Sequence, residues 1–345
     1  MFQPQRILIV GPSWVGDMLM SHALYRQLKA QYPECEIDVL APDWCRALLE
    51  RMPEVSNSIA MPVGHGSLQL GVRRRLAAML EQRGYDQAIV CPNSLKSALI
   101  PWFANIPLRT GWLGEMRYWL LNDPRKLNKE AFPLMVQRYV ALAGEGVPSA
   151  EQLPEILPPK LTVDREAQVK ALQQFSLPAE KLIGLCPGAE FGPAKRWPDY
   201  HYAELAARLI DDGYQIACFG SAKDAEVVRE IAARLTGDQR KRFHALAGKT
   251  SLPQAIDLLA ACDAVITNDS GLMHVAAAVS TPLVALYGPT SPDFTPPLSD
   301  KAEVIRLIEG YLKIRKGDAD QGYHQSMIDI SPDLVADALN KVMPA

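Results

Sequence analysis

Residues 262–278, CDAVITNDSGLMHVAAA, decide how the chain is read. Asp263 to Thr267 is a short apolar run with strand character. Asn268-Asp269-Ser270-Gly271 is a polar, glycine-containing corner, and Leu272 to Ala278 opens a helix. Such a corner leaves the first helical N–H groups without intrahelical partners, at the positive end of the helix dipole. That end attracts phosphate. Ser270 and Gly271 allow close approach, Asp269 can accept from sugar hydroxyls, and His274 lies about one turn into the helix. The plain structural alternative is a helix capped by Asp269 or Ser270 with a half-buried histidine.

The same strand–helix alternation extends in both directions. Arg6 to Val10, Glu36 to Leu40, Ser58 to Met61 and Gln87 to Cys91 read as strands. Met18 to Gln31, Asp43 to Met52, Leu70 to Gln82 and Ser94 to Phe103 read as the helices between them. Val147 to Pro159 is proline-rich and aperiodic, which predicts a linker. The alternation then resumes, with strands at Leu182 to Cys186, Tyr214 to Phe219 and Leu283 to Tyr287. The expectation is an α/β protein of two doubly wound domains, residues 1–155 and 160–330, followed by a helix at 332–343.

Composition narrows the function. A formal net charge of -3 argues against a general nucleic-acid binder. The apolar stretches near Ala98 and Val275 are short and broken by prolines, so no membrane span is expected. The chain enters an apolar strand at Ile7, so no signal peptide is read. The six cysteines lack metal-like spacing and are expected to be reduced and buried, as in a cytosolic protein.

Ligands of parallel sheets gather at the carboxyl ends of strands, so the loops there carry the chemistry. GPSWVGDM, residues 11–18, has P-loop-like spacing with Asp17 where that motif needs lysine. A glycine-rich loop exposing one carboxylate suits a general base or a hydroxyl acceptor; the alternative is that Asp17 caps a helix starting at Met18. PGAEFGPAKRWP, residues 187–198, frees the backbone at Gly188 and Gly192 and brings Lys195 to a strand end as a phosphate ligand, or is a solvated basic loop. FGSAKDAE, residues 219–226, offers Ser221 to a nucleoside, or caps an ordinary helix. YGPTSPDFTPP, residues 287–297, walls the same pocket or is simply rigid.

Softer signals accompany these. Arg73 to Arg75, Lys96, Arg109, Arg117, Arg125 and Lys126 can face an anionic acceptor or form solvated faces. Trp102, Trp112, Trp119 and Phe103 can stack on sugars; most are expected in the core. Asp318-Ala319-Asp320 is a D-x-D string in a charged segment without a preceding strand, so no metal site is expected.

GPSWVGDMLMSHALYR (11–26), PGAEFGPAKRWP (187–198) and TNDSGLMHVAAA (267–278), in that order, resemble the ADP-heptose:lipopolysaccharide heptosyltransferases, glycosyltransferase family 9. The likeness is nearest to the members that add the second heptose of the inner core. It runs over nearly the whole chain, including NSLKSALIPWFANIPLRTGW (93–112) and YGPTSPDFTPPLS (287–299). The resemblance implies a GT-B fold, two Rossmann-like domains facing across a cleft, with the terminal helix 332–343 crossing back to the first. It implies an ADP-heptose donor, a heptosyl-Kdo2-lipid A acceptor and inversion at the anomeric carbon without an obligatory metal or other cofactor. It implies a cytoplasmic protein, peripheral to the inner membrane. Asp17 matches the family's catalytic carboxylate, Lys195 its phosphate ligand, and Asp269, Ser270, Gly271 and His274 its nucleotide motif. Gly188, Ala189, Glu190 and Ser221 are the further donor candidates. Ser13, Trp14, Lys96 and Arg109 are the acceptor candidates. A different nucleotide-sugar transferase or epimerase of the same fold, and a non-catalytic nucleotide-binding protein, are the alternatives.

Overall fold

A computed structural model describes residues 3–64 and 66–343. The chain divides into two compact units, the first ending at Leu161 and the second beginning at Thr162.

The first unit runs β1 (Arg6–Val10), α1 (Val15–Gln31), β2 (Glu36–Ala41), α2 (Asp43–Leu49), β3 (Asn57–Ala60), α3 (Leu70–Glu81), β4 (Gln87–Val90), α4 (Leu95–Phe103), β5 (Leu108–Trp112), β6 (Asp123–Arg125) and α5 (Met135–Val140). Its strands form one parallel sheet in the order β3-β2-β1-β4-β5-β6. Ile7 to Val10 are fully covered, because helices cover both faces of this sheet and an unbroken apolar run is what such a strand requires.

The second unit repeats the plan. It runs α6 (Arg165–Gln174), β7 (Leu182–Cys186), α7 (Asp199–Asp211), β8 (Gln215–Cys218), α8 (Ala225–Ala233), α9 (Gly237–Arg240), β9 (Phe243–Ala245), α10 (Leu252–Leu259), β10 (Ala264–Asn268), α11 (Gly271–Ala278), β11 (Leu283–Tyr287), β12 (Ala302–Arg306), α12 (Gln325–Ile328) and α13 (Pro332–Val342). Its parallel sheet has the order β12-β11-β10-β7-β8-β9. Both sheets therefore start at a central strand, wind outward one way, return to the centre and wind outward the other way, the Rossmann order.

The helix at 332–343 packs on the second unit. Ser331 caps α13 by accepting from Leu334 N–H at 3.2 Å, and Pro332 occupies its first turn. Val335, Ala338 and Leu339 form its apolar stripe. They join Trp197, Ile266, Leu286 and Ile330 in the core of the second unit.

Four strands escaped the sequence reading: β5, β6, β9 and β12. β5 and β6 hold to the sheet through polar groups. Gln87 Nε2 donates to Thr110 Oγ1 at 2.9 Å, Thr110 Oγ1 donates to Asp123 Oδ2 at 2.9 Å, and Arg125 Nη2 donates to the same oxygen at 2.7 Å. Pro124 is tolerated because β6 is the edge strand.

The arginines and tryptophans also depart from expectation. Arg73, Arg117 and Arg125 are buried, and Arg109 is half-buried. Each donates to backbone carbonyls: Arg73 to Leu68 and Lys96, Arg109 to Ile106 and Leu120, Arg125 to Ala141 and Gly144. Arg117 is fully enclosed. Its guanidinium donates to the carbonyls of Pro92 (2.6 Å), Ser94 (3.2 Å) and Trp112 (2.5 Å), and to Ser97 Oγ (3.1 Å). Burial lowers its pKa to about 10, still charged at neutral pH. Conversely, Trp112 is buried, whereas Trp119 and Trp102 are exposed and Phe103 is partly so.

Arg117→Leu removes the donors and leaves the Pro92 and Trp112 carbonyls buried. The expected loss is about 2–3 kcal/mol, a fall of roughly 4–12 °C in the unfolding midpoint of the first unit by calorimetry. A midpoint within about 1 °C of wild type would show that those carbonyls find other donors.

Candidate active site

Each sheet has one switch point, where neighbouring strands send their connections to opposite faces and a crevice opens beyond their carboxyl ends. In the second unit it lies between β7 and β10. The loop after β7 carries Gly188 to Trp197, and the corner after β10 carries Asp269 to Gly271.

Asn268, the last residue of β10, spans this crevice. Its side chain is fully buried. Oδ1 accepts from the Trp197 N–H and the Tyr202 hydroxyl, both at 3.0 Å, and Nδ2 donates to the Pro187 carbonyl at 2.8 Å. Trp197, also fully buried, donates from Nε1 to the Ile330 carbonyl at 2.8 Å. The loop after β7 is thus fixed at both ends, and Lys195 projects from it toward the corner.

Lys195 Nζ meets Asp269 Oδ2 at 2.5 Å, and Thr290 Oγ1 donates to the same oxygen at 2.7 Å. Thr290 comes from the proline-rich loop after β11, so three loops meet on one carboxylate oxygen. Lys195 Nζ also stands 5.6 Å from the centre of the Phe191 ring, and Arg315 covers that ring at 5.3 Å. Gly192 permits this packing. Ala194 N–H bonds the Arg315 carbonyl at 3.2 Å, and a Cβ on Gly192 would overlap that carbonyl.

Ser270 precedes α11 but makes no side-chain cap bond. The simple capped-helix reading therefore fails at Ser270, and Asp269 is engaged with Lys195 and Thr290. His274 is buried one turn into α11. Burial first, and the Lys195 charge after it, lower its pKa to about 4 against the opposing pull of Asp269, so the ring is neutral at pH 7.

The donor candidates Gly188 and Ser221 pack around a different carboxylate, Asp224. Ser221 donates to Asp224 Oδ2 from its backbone N–H (2.9 Å) and from its hydroxyl (2.8 Å). Arg196 approaches Asp224 Oδ1 at 3.5 Å. A Cβ on Gly188 or Gly220 would strike this carboxylate, so both glycines make room for it. Ala189 is buried, while Glu190 is exposed and pairs with Lys223.

In the first unit the switch point lies between β1 and β4. Asp17 does not cap a helix beginning at Met18. The helix begins at Val15, and Asp17 sits within its first turn. Its charge helps raise the acid groups of Cys45, to about 12, and Tyr139; burial is the larger cause in both. Ser13 is held through its carbonyl, which accepts from Trp44 Nε1 at 2.9 Å. Trp14 is exposed. Lys96 lies in the first turn of α4, at the same edge of the sheet. Arg109, half-buried, donates to the Ile106 and Leu120 carbonyls.

Asn268, Thr290, Phe191 and Arg315 hold or flank the Lys195–Asp269 pair, and the sequence reading assigned none of them. Asn268, Thr290 and Phe191 stand inside stretches it quoted. Arg315, by contrast, lies 120 residues beyond Lys195 in the chain, with no local signal to join them.

The model of glycosyltransferase family 9 (heptosyltransferase) matches residues 73–324. The chain is 61% identical over 342 residues to lipopolysaccharide heptosyltransferase 2 of Escherichia coli strain K12, covering 98% of both chains. It is 60% identical over 345 residues to lipooligosaccharide heptosyltransferase 2 of Haemophilus influenzae, covering 98% of this chain and 99% of that one. Among solved structures it is similar to that of E. coli ADP-heptose lps heptosyltransferase II, with a TM-score of 0.90, 58% identity and 98% of both chains covered.

The buried, neutral His274 generates a pH prediction. Above the ordinary histidine value, near 6.5, folded and unfolded states bind equally few protons there. Between about 6.5 and 4 the unfolded chain takes up a proton that the folded chain refuses, so stability falls with pH. Measured as the difference between wild type and His274→Gln in denaturant titrations, the loss approaches about 3 kcal/mol at pH 4. Parallel pH profiles for the two proteins would contradict the assignment.

Proposed function

The chain belongs to glycosyltransferase family 9, the heptosyltransferases, and from this we propose how its two switch points divide the work. The protein is a glycosyltransferase of lipopolysaccharide inner-core synthesis. It moves L-glycero-D-manno-heptose from ADP-heptose to the first heptose of heptosyl-Kdo2-lipid A, with inversion. The first unit, residues 1–155, takes the acceptor; residues 160–330 take the donor. The enzyme works in the cytoplasm, peripheral to the inner membrane that holds its acceptor, and needs no obligatory metal. Among the described residues no helix is long and apolar enough to cross a membrane.

One observation carries the reading. A lysine ammonium stands at the switch point of the second sheet, beside a helix start that no serine side chain caps. The diphosphate of the donor lies against Lys195 and the first turn of α11, over Ser270 and Gly271. Gly188, Ala189, Glu190, Ser221, Asp269 and His274 surround the remainder of the donor. Ser13, Trp14, Lys96 and Arg109 border the acceptor.

Asp17 takes the proton from the acceptor hydroxyl as its oxygen attacks the anomeric carbon. The new C–O bond forms on the face opposite ADP. The bond to the diphosphate breaks, and its electron pair leaves with ADP. Lys195 and the α11 start stabilise the charge that builds there. The helix end supplies ~0.3–1 kcal/mol when exposed and ~2 kcal/mol when partly buried, so Lys195 carries the larger share.

Two variants and a chelator test this. Asp17→Ala should keep ADP affinity and lose roughly 10²–10⁴ in turnover, the range of a positioned base. A loss below about tenfold would remove the base role. Lys195→Ala should weaken both ADP binding and turnover, and unchanged values would take it out of the site. Transfer by wild type should survive excess EDTA; abolition by the chelator would replace the metal-free scheme.

A further inference from the structure

We infer that the loop from Gly114 to Leu120, which turns Met116, Tyr118 and Trp119 into solvent around the buried peg of Arg117, docks the protein on an anionic membrane surface. The inference rests on the reading that the acceptor is carried on a lipid, and it names the face that meets that lipid's membrane.

The loop follows β5, at the carboxyl end of the first sheet. It is held from below. Arg117, with no exposed surface, donates to the carbonyls of Pro92, Ser94 and Trp112 and to Ser97 Oγ. Glu115 accepts from the Leu95 N–H at 2.8 Å, which fastens the loop to the first turn of α4. Gly114 lies so close to Asn93 that a Cβ would strike the Asn93 carbonyl oxygen at 2.8 Å. Glu115 and Met116 both adopt left-handed backbone, at φ 44° and 54°. That region is unfavourable for residues with a Cβ, so the surrounding bonds impose it.

What this scaffold displays is apolar. Met116 is 76% exposed, Tyr118 61% and Trp119 74%, on either side of a fully enclosed arginine. Trp119 Nε1 reaches the Met116 carbonyl at 3.3 Å, which joins the two ends of the display. Leu68 and Leu70, exposed at the start of α3, belong to the same edge. Arg73 links that region to the loop's anchor by donating to the carbonyls of Leu68 and Lys96. Arg74 and Arg75 follow it on α3, both exposed, with the Arg74 guanidinium 5.0 Å from the centre of the Phe103 ring.

Charge and size select the occupant. Tryptophan and tyrosine favour the boundary between headgroups and acyl chains, where an apolar body and a polar edge are both accommodated. The exposed arginines of α3, Arg74 and Arg75, complement anionic headgroups. A second copy of this chain is a poorer occupant. Three side chains of ~150–250 Å² each, exposed to this degree, offer about 450 Å², against about 800 Å² per partner in a stable interface.

The test is flotation of the full chain with vesicles of phosphatidylethanolamine and phosphatidylglycerol, beside vesicles of phosphatidylcholine alone. Wild type should bind the anionic vesicles, and binding should weaken with added salt. The triple variant Met116→Ser, Tyr118→Ser, Trp119→Ser should lose about tenfold or more in binding, since most of the inserted apolar area is gone. Its unfolding midpoint should stay near wild type, because all three positions are exposed. Turnover on a deacylated, water-soluble acceptor should stay within about twofold, while turnover on the vesicle-borne acceptor falls. Wild type that ignores both vesicles, or a variant that binds as well as wild type, overturns the inference. An equal loss of turnover on both acceptors also overturns it, and makes the loop a sugar contact. Failure of wild type to transfer heptose to either acceptor would refute the proposed activity, and the vesicle arm would still decide the docking surface.

Discussion

Asn268 closes a gap that the fold itself creates. Where a parallel sheet reverses its winding, β7 and β10 pair side by side but their loops diverge. The backbone groups at the rim then lack the partners that a continuing ladder would provide. A carboxamide meets this need because it both donates and accepts: it takes hydrogens from Trp197 and Tyr202 and gives one to Pro187. Aspartate could accept but not donate, and leucine could do neither. Each buried group left unmatched would cost about 1–3 kcal/mol. The position of Lys195 relative to Asp269 follows from this one side chain, and with it the proposed donor site.

The two units put positive charge to opposite uses. In the first, Arg73, Arg109, Arg117 and Arg125 turn inward and collect carbonyls from loops and helix ends. Five N–H donors in a fixed plane suit that task, since several chain segments can be tied by one group. In the second, Lys195 faces a carboxylate in a partly open crevice. A compact ammonium on a flexible stem can change partners without dismantling the loop that holds it.

The contrast also explains what was legible in the sequence. β1, β7, β10 and β11 are central, covered on both faces, and written as unbroken apolar runs. β5 and β6 are joined by Gln87, Thr110 and Asp123, whose side chains resemble those of a loop until their partners are known. The same holds for the site. Lys195, Asp269 and His274 stood out by residue type and by position after a strand. The bond between Lys195 and Asp269 spans 74 residues and has no local signature. The rule that arginine lies outside and tryptophan inside failed in one short stretch: Arg117 is enclosed and Trp119 is bare. Residue type gives the average preference. The enclosed arginine is allowed only because the β4–α4 loop and the end of β5 present their carbonyls to the same spot.

On the proposed placement of the donor diphosphate against Lys195, the short contact between Lys195 and Asp269 gives ligand capture the character of an exchange. The ammonium is already matched with a carboxylate, which Thr290 steadies through the same oxygen. An incoming diphosphate does not fill an empty electrostatic well; it competes with a resident anion. A weak or singly charged anion has little advantage over Asp269 and is filtered out. The departing nucleotide meets the reverse situation, because the carboxylate stands ready to reclaim the ammonium as the diphosphate loosens. A tethered rival of this kind lowers the affinity of the crevice for its own spent ligand, and so favours vacancy over product retention between turnovers.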